Sequence, residues 1–139
     1  MTHDPVPAAP LPGLGSDTFR ALGHDLIERL AQHLEQGAER DAPILAPVRP
    51  AQEFAHWRRD ARAASTDPAR LLALVDDLLA RSTRLQSPRF VGHQVAAPHP
   101  LAALCELVSA LLNNGMAVYE MGPAATAIER ELVRWFARE

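Results

Sequence analysis

Between residues 16 and 37, apolar side chains recur at Phe19, Leu22, Leu26, Ile27, Leu30 and Leu34, the spacing that lines one face of an α-helix. Ser16 and Asp17 offer an N-cap before this run, and Gly37 marks its expected end. Gly23 interrupts it, at a cost of about 1 kcal/mol relative to alanine. Residues 41–50 carry Pro43, Pro47 and Pro50, which predict an extended connector. A short helix is expected over 51–63, anchored by Phe54 and Trp57. Thr66, Asp67 and Pro68 form a helix start, with a capping side chain ahead of a first-turn proline. Leu71, Leu72, Leu74, Val75, Leu78 and Leu79 extend that helix to about Arg84.

The pattern then changes. Pro88, Pro98 and Pro100 bracket Gly92 and the two β-compatible residues that flank it, which predicts an ordered loop with a short extended piece. Residues 101–112 are apolar on most sides, the signature of a helix that expects burial. Asn113, Asn114 and Gly115 tolerate positive φ and should end it. Pro123 opens a last helix with Ile128, Leu132, Trp135 and Phe136 on one face, and its amphipathic pattern still runs when the sequence reaches Glu139. No period-2 pattern of useful length and no internal repeat occurs, so the expected fold class is mainly α.

Composition narrows the function classes. Of the 139 residues, 47% are hydrophobic and 22% charged, ordinary for a globular chain. The net charge of -3 and the lack of a dense basic run argue against nucleic-acid binding. Residues 1–15 hold four prolines and two glycines and read as a flexible leader; they have neither a basic segment nor an apolar core of the signal-peptide kind. No apolar run approaches the ~18 residues of a membrane span. The single cysteine, Cys105, permits no internal disulfide. These features point to a soluble, cytoplasmic polypeptide. All 14 basic residues are arginine, so no lysine is present.

Candidate chemistry is sparse. His93 and Gln94 occupy the bracketed loop, where side chains can be aimed at a ligand or can hydrogen-bond their own backbone. His99, between two prolines, reads as structural. Asn113 to Gly115 could nest an anion but more simply cap a helix. Tyr119 and Glu120 could supply a phenol and a carboxylate to a pocket; alternatively Tyr119 packs and Glu120 caps the coming helix. Asp76-Asp77 and Glu129-Arg130-Glu131 read as solvated ion-pairing positions. His3, His24, His33, His56 and Cys105 lack metal-ligand spacing, and no phosphate-loop or nucleophile motif occurs.

The run PRFVGHQV at 88–95, with LLNNGMAVYEMGP at 111–123 and Ile128-Glu129, resembles the group II pyridoxal-phosphate-dependent amino-acid decarboxylases. These include the glutamate, aromatic-amino-acid and 2,4-diaminobutyrate enzymes, and the bacterial diaminobutyrate-type or an otherwise unassigned branch looks closest. The strong resemblance spans residues 84–139, with a weaker one over 19–34. Ser87 departs from the pattern, since many relatives have histidine before the Pro-Arg-Phe.

The resemblance implies the N-terminal helical segment of an enzyme with the aspartate-aminotransferase-like fold (fold type I). Such enzymes are homodimers whose N-terminal helices embrace the partner subunit. Residues 1–15 would be a leader, 16–86 a helical arm, and 87–139 a pocket loop and helices leading into a large cofactor-binding domain. The loop matching His93, Gln94, Val95 and Ala96 would line the substrate side of the pocket. Glutamate decarboxylases carry glutamine and aromatic decarboxylases tyrosine at the position of His93, so that residue would tune recognition of the amino-acid substrate. The stretch from Ala117 to Tyr119 would lie near the neighbouring subunit's pocket.

Pyridoxal phosphate itself would be held by a lysine, an acid and a stacked histidine of the large domain. This chain would therefore contribute no catalytic, cofactor-binding or metal-binding residue and be inactive alone. The alternative is an autonomous helical dimerisation module without catalysis.

Overall fold

The computed structural model describes residues 14–45, 47–60, 67–92 and 94–138. The chain divides into two compact units, Met1–Ala97 and Pro98–Glu139. Among the described residues all regular structure is helical, as the periodicity predicts.

The first unit contains α1 (Ser16–Ala38), α2 (Pro50–Asp60) and α3 (Pro68–Arg81). α1 begins one residue earlier than its expected cap. Gly15 takes the N-cap position, with no side-chain cap bond, and Phe19 N–H donates to its carbonyl at 2.8 Å. Ser16 is thus already helical, and Asp17 is drawn to Arg20 one turn on, at 2.7 Å. Gly23 has nothing within 4 Å of a Cβ, so its cost is backbone entropy alone. Gly37 is different. It is buried, and a Cβ there would lie 3.7 Å from Gln86 Cβ, ordinary van der Waals contact, so the segment after α3 passes close to the end of α1 without requiring a glycine.

The helix expected over 51–63 is observed as α2 over Pro50–Asp60, with 61–63 outside the described residues, but only one of its two expected anchors holds. Trp57 is half-buried, whereas Phe54 is 68% exposed. α3 starts as its sequence predicts. Asp67 caps it, accepting from Ala69 N–H at 3.1 Å, and Pro68 fills the first turn. α1 and α3 pack directly against each other. The proline connector returns between them: Arg84 N–H donates to Ile44 C=O at 2.8 Å, and Ala42 is buried.

The second unit holds α4 (Pro100–Leu112), a 3₁₀ turn (Tyr119–Met121) and α5 (Pro123–Phe136). His99 caps α4, its Nδ1 accepting from Leu101 N–H at 3.2 Å, which is the structural role its position suggests. Asn113 closes α4 at φ 44°, ψ 40°, with its N–H on Ser109 C=O at 2.9 Å, so the Asn-Asn-Gly run acts as a C-cap.

Two expectations fail in this unit. α4 should be buried by its composition, yet every residue from Pro100 to Leu112 is exposed. Nor does Glu120 cap α5: Gly122 is the N-cap residue, without a side-chain bond. The 3₁₀ turn packs on α5, and a Cβ at buried Gly122 would meet Met116 Cγ at 3.0 Å, leaving room only for glycine without a shift of Met116. α5 closes at Phe136, where Ala137 N–H donates to Val133 C=O at 3.0 Å and Arg138 N–H to Trp135 C=O at 3.1 Å.

Candidate functional site

The residues that the sequence marks for a substrate pocket fall in both units, and each group is described in its own unit. In the first, the loop after α3 is tied down at its start. Ser87 is buried, its N–H donating to Arg84 C=O at 3.2 Å and its C=O accepting from Phe90 N–H at 2.9 Å. Its Oγ accepts from Arg89 N–H at 3.3 Å. The Phe90 ring lies beside Gly92, 3.8 Å from where a Cβ would be. Beyond this anchor the loop opens. Val91 is 95% exposed, and Gln94, Val95 and Ala96 are also exposed. The expected extended piece forms no strand among the described residues. His93 lies outside the described residues.

In the second unit Ala117 is exposed, and Tyr119, at the head of the 3₁₀ turn, is 62% exposed. The alternative in which Tyr119 packs is therefore not what the fold shows. Its phenol carries no hydrogen bond among the described contacts. The described members of both groups, Gln94, Val95, Ala96, Ala117 and Tyr119, are thus surface features.

The most ordered polar cluster lies elsewhere, and the sequence reading passed over it. Glu53, His56 and Trp57 project from one face of α2 at i, i+3, i+4 spacing, and Asp77 and Arg81 from α3 at i, i+4. Trp57 Nε1–H donates to Glu53 Oε1 at 2.6 Å, and Arg81 Nη1 donates to Glu53 Oε2 at 2.9 Å. Arg81 Nε donates to Asp77 Oδ1 at 2.6 Å, and Asp77 Oδ2 pairs with His56 Nε2. The His56 ring meets Trp57 edge-on, centroids 5.1 Å apart.

The two helices are therefore joined by long polar side chains. Asp77 and Arg81 are half-buried ion-pairing positions, less solvated than the sequence implies. The i, i+4 spacings were legible signals; the pairing across 28 residues between Glu53 and Arg81 was not. Each carboxylate already faces a donor within the cluster and no serine, threonine or cysteine joins it, so its chemistry is that of a clamp. No group of three or more His, Cys, Asp or Glu among the described residues could hold a metal ion.

Three titrating groups register the packing of the first unit. Donation from Arg81, then from His56, holds the Asp77 carboxyl below its ordinary range, and Asp77 in turn pushes Arg81 upward. Burial, followed by the charge of Arg84, lowers His33.

Both depressions make acid destabilising, because the unfolded chain binds the proton first. Stability is expected to decline as pH falls below ~6.5, the ordinary histidine value, through the folded pKa of His33. It should decline again below ~3.9, as Asp77 protonates. Urea midpoints followed from pH 8 to pH 3 check this: His33→Gln should remove the upper step and Asp77→Asn the lower. A flat midpoint between about pH 7 and pH 5 would contradict the His33 assignment.

No family model and no curated protein matches the sequence. The fold does match. Over 86% of its length this chain superposes on a chain from the crystal structure of mouse CSAD in apo form, with a TM-score of 0.75 and 16% sequence identity. It spans about a quarter of that chain, 26% of its length. At this identity the likeness is one of fold. No helix among the described residues is long and apolar enough to cross a membrane.

Proposed function

We propose that this chain is the N-terminal helical segment of a group II pyridoxal-phosphate-dependent L-amino-acid decarboxylase, supplying dimer interface and one wall of the substrate pocket. The observation that carries this is the fold match to a chain of mouse CSAD over 86% of this sequence. The PRF, NNG and YExxP motifs support the same reading. So does the all-round exposure of an apolar α4, a surface suited to a partner.

When bound, pyridoxal phosphate supplies an electron sink for the carbanion left by carboxylate loss. The residues present do not fit it as a covalent site, because a chain with no lysine offers no ε-amino group for a Schiff base. In this reading the chain's own contribution is shape and polarity. Gln94, Val95 and Ala96, with His93, border the substrate side chain, while Ala117 and Tyr119 border the pocket of the neighbouring subunit. The anchored Ser87–Phe90 turn positions the loop.

Native purification of the species that carries this sequence tests the proposal. The expected species is a soluble cytoplasmic homodimer with cofactor absorbance that releases carbon dioxide from an L-amino acid. A 15.2 kDa monomer with no cofactor in any assembly would overturn it.

A further inference from the structure

A cleft of about 160 Å³ lies between α1 and α3. One face of α1 contributes Arg29, Gln32, His33 and Gln36; α3 contributes Asp76, and Arg84 comes from the segment after it. The spacing 29, 32, 33, 36 is that of a single helix face, so these side chains converge by construction.

The charges do not balance. Arg29 Nε lies 2.9 Å from Asp76 Oδ1, which cancels that pair. Asp76 is the one carboxylate that lines the cleft; Glu28, which accepts from Gln32 Nε2 at 2.8 Å, lies outside the lining. Arg84 has no carboxylate partner among the described residues. Its Nη1 donates only to Pro43 C=O at 3.3 Å, and its backbone is fixed by Ile44. A guanidinium has five donors, so most of its fork is uncommitted.

Arg29 Nε is buried and faces the Asp76 carboxylate, so it adds no free donor. An unmatched guanidinium and a half-buried imidazole in one concavity are the donor set of an anion site. The cleft is open to solvent, with room for one small anion and some hydration.

We propose that the α1–α3 cleft binds a small tetrahedral oxyanion of the size of inorganic phosphate, with Arg84 as its principal ligand and His33 as its second. Arg29, Asp76 and Arg84 are the charged groups that face His33, and a bound anion opposes the repulsion from Arg84, favouring the protonated ring.

Titration of the full chain with inorganic phosphate, followed by NMR of the His33 ring, tests this against chloride and acetate at equal ionic strength. Phosphate should shift the ring resonances saturably and raise the His33 titration midpoint, while chloride should do neither. Arg84→Gln should weaken phosphate by at least about tenfold, the scale of one charge-assisted bond. Arg84→Lys, which keeps the charge and lacks the fork, should fall between. A linear response shared with chloride overturns the proposal, as does unchanged affinity in a folded Arg84→Gln chain. Equal saturation by acetate assigns the cleft to a carboxylate and overturns the phosphate reading. Should Arg84→Gln unfold, the Arg84→Lys affinity and the phosphate-against-chloride comparison still decide.

Discussion

Replacing Leu104 and Leu111 together with glutamate is expected to turn a self-associating chain into a monomer while leaving its helices in place. Leu101, Leu104, Val108 and Leu111 form an i, i+3, i+7, i+10 stripe on α4, and all are exposed, Leu111 to 69%. Cys105, Glu106 and Ser109 gather with Ala102 on the opposite side of the helix, so the large apolar residues form one continuous face. A contiguous apolar surface of this kind is rarely left in water.

Burying a leucine against a partner contributes roughly 1.5–3 kcal/mol, so losing two removes roughly 3–6 kcal/mol of association energy. That corresponds to a dissociation constant weaker by about two to four orders of magnitude. Glutamate is a good helix former, which keeps the change from acting through unfolding. Sedimentation should show the native chain as a species heavier than 15.2 kDa and the double variant as a monomer, with equal helical circular dichroism. A native chain that stays monomeric at high concentration would remove the argument for α4 as a contact surface.

The second large effect concerns the end of the same helix. Asn113 sits at φ 44°, and it is the one described non-glycine residue with positive φ. Asparagine tolerates this region because its short side chain bonds locally, whereas a β-branched residue there clashes with its own backbone. Asn113→Val is expected to cost about 1–2 kcal/mol, and Asn113→Gly, which accepts the conformation freely, much less. The sensitive readout is amide exchange of Asn113 itself, whose N–H is held by Ser109 C=O at 2.9 Å. In Asn113→Val that proton should exchange about five to thirty times faster, the factor that corresponds to 1–2 kcal/mol. Equal rates in the valine and glycine variants would mean that the cap is not strained by side-chain bulk.

The site was less legible than the fold, and particular residues show why. Asp67-Pro68 announced α3 because a capping side chain and a missing N–H act within one turn. His99 reads the same way in both views for the same reason. The Glu53–Arg81 pair and the Arg84 contacts with Pro43 and Ile44 could not be read, because each joins positions far apart in the chain. Phe54 shows the opposite failure: its helical spacing predicts an anchor, but it is 68% exposed among the described residues.

By itself the sequence determined the helical class, the approximate span of every helix, the proline and asparagine boundaries, and the lack of a lysine for Schiff-base chemistry. These follow from local stereochemistry and residue identity, which need no distant partner. Only the tertiary structure decided which polar residues pair across α2 and α3, which charge in the α1–α3 cleft is left unbalanced, and that α4 stands uncovered. Burial and pairing depend on what the rest of the chain brings near, and periodicity states only that an apolar face wants a cover, not whether this chain supplies one.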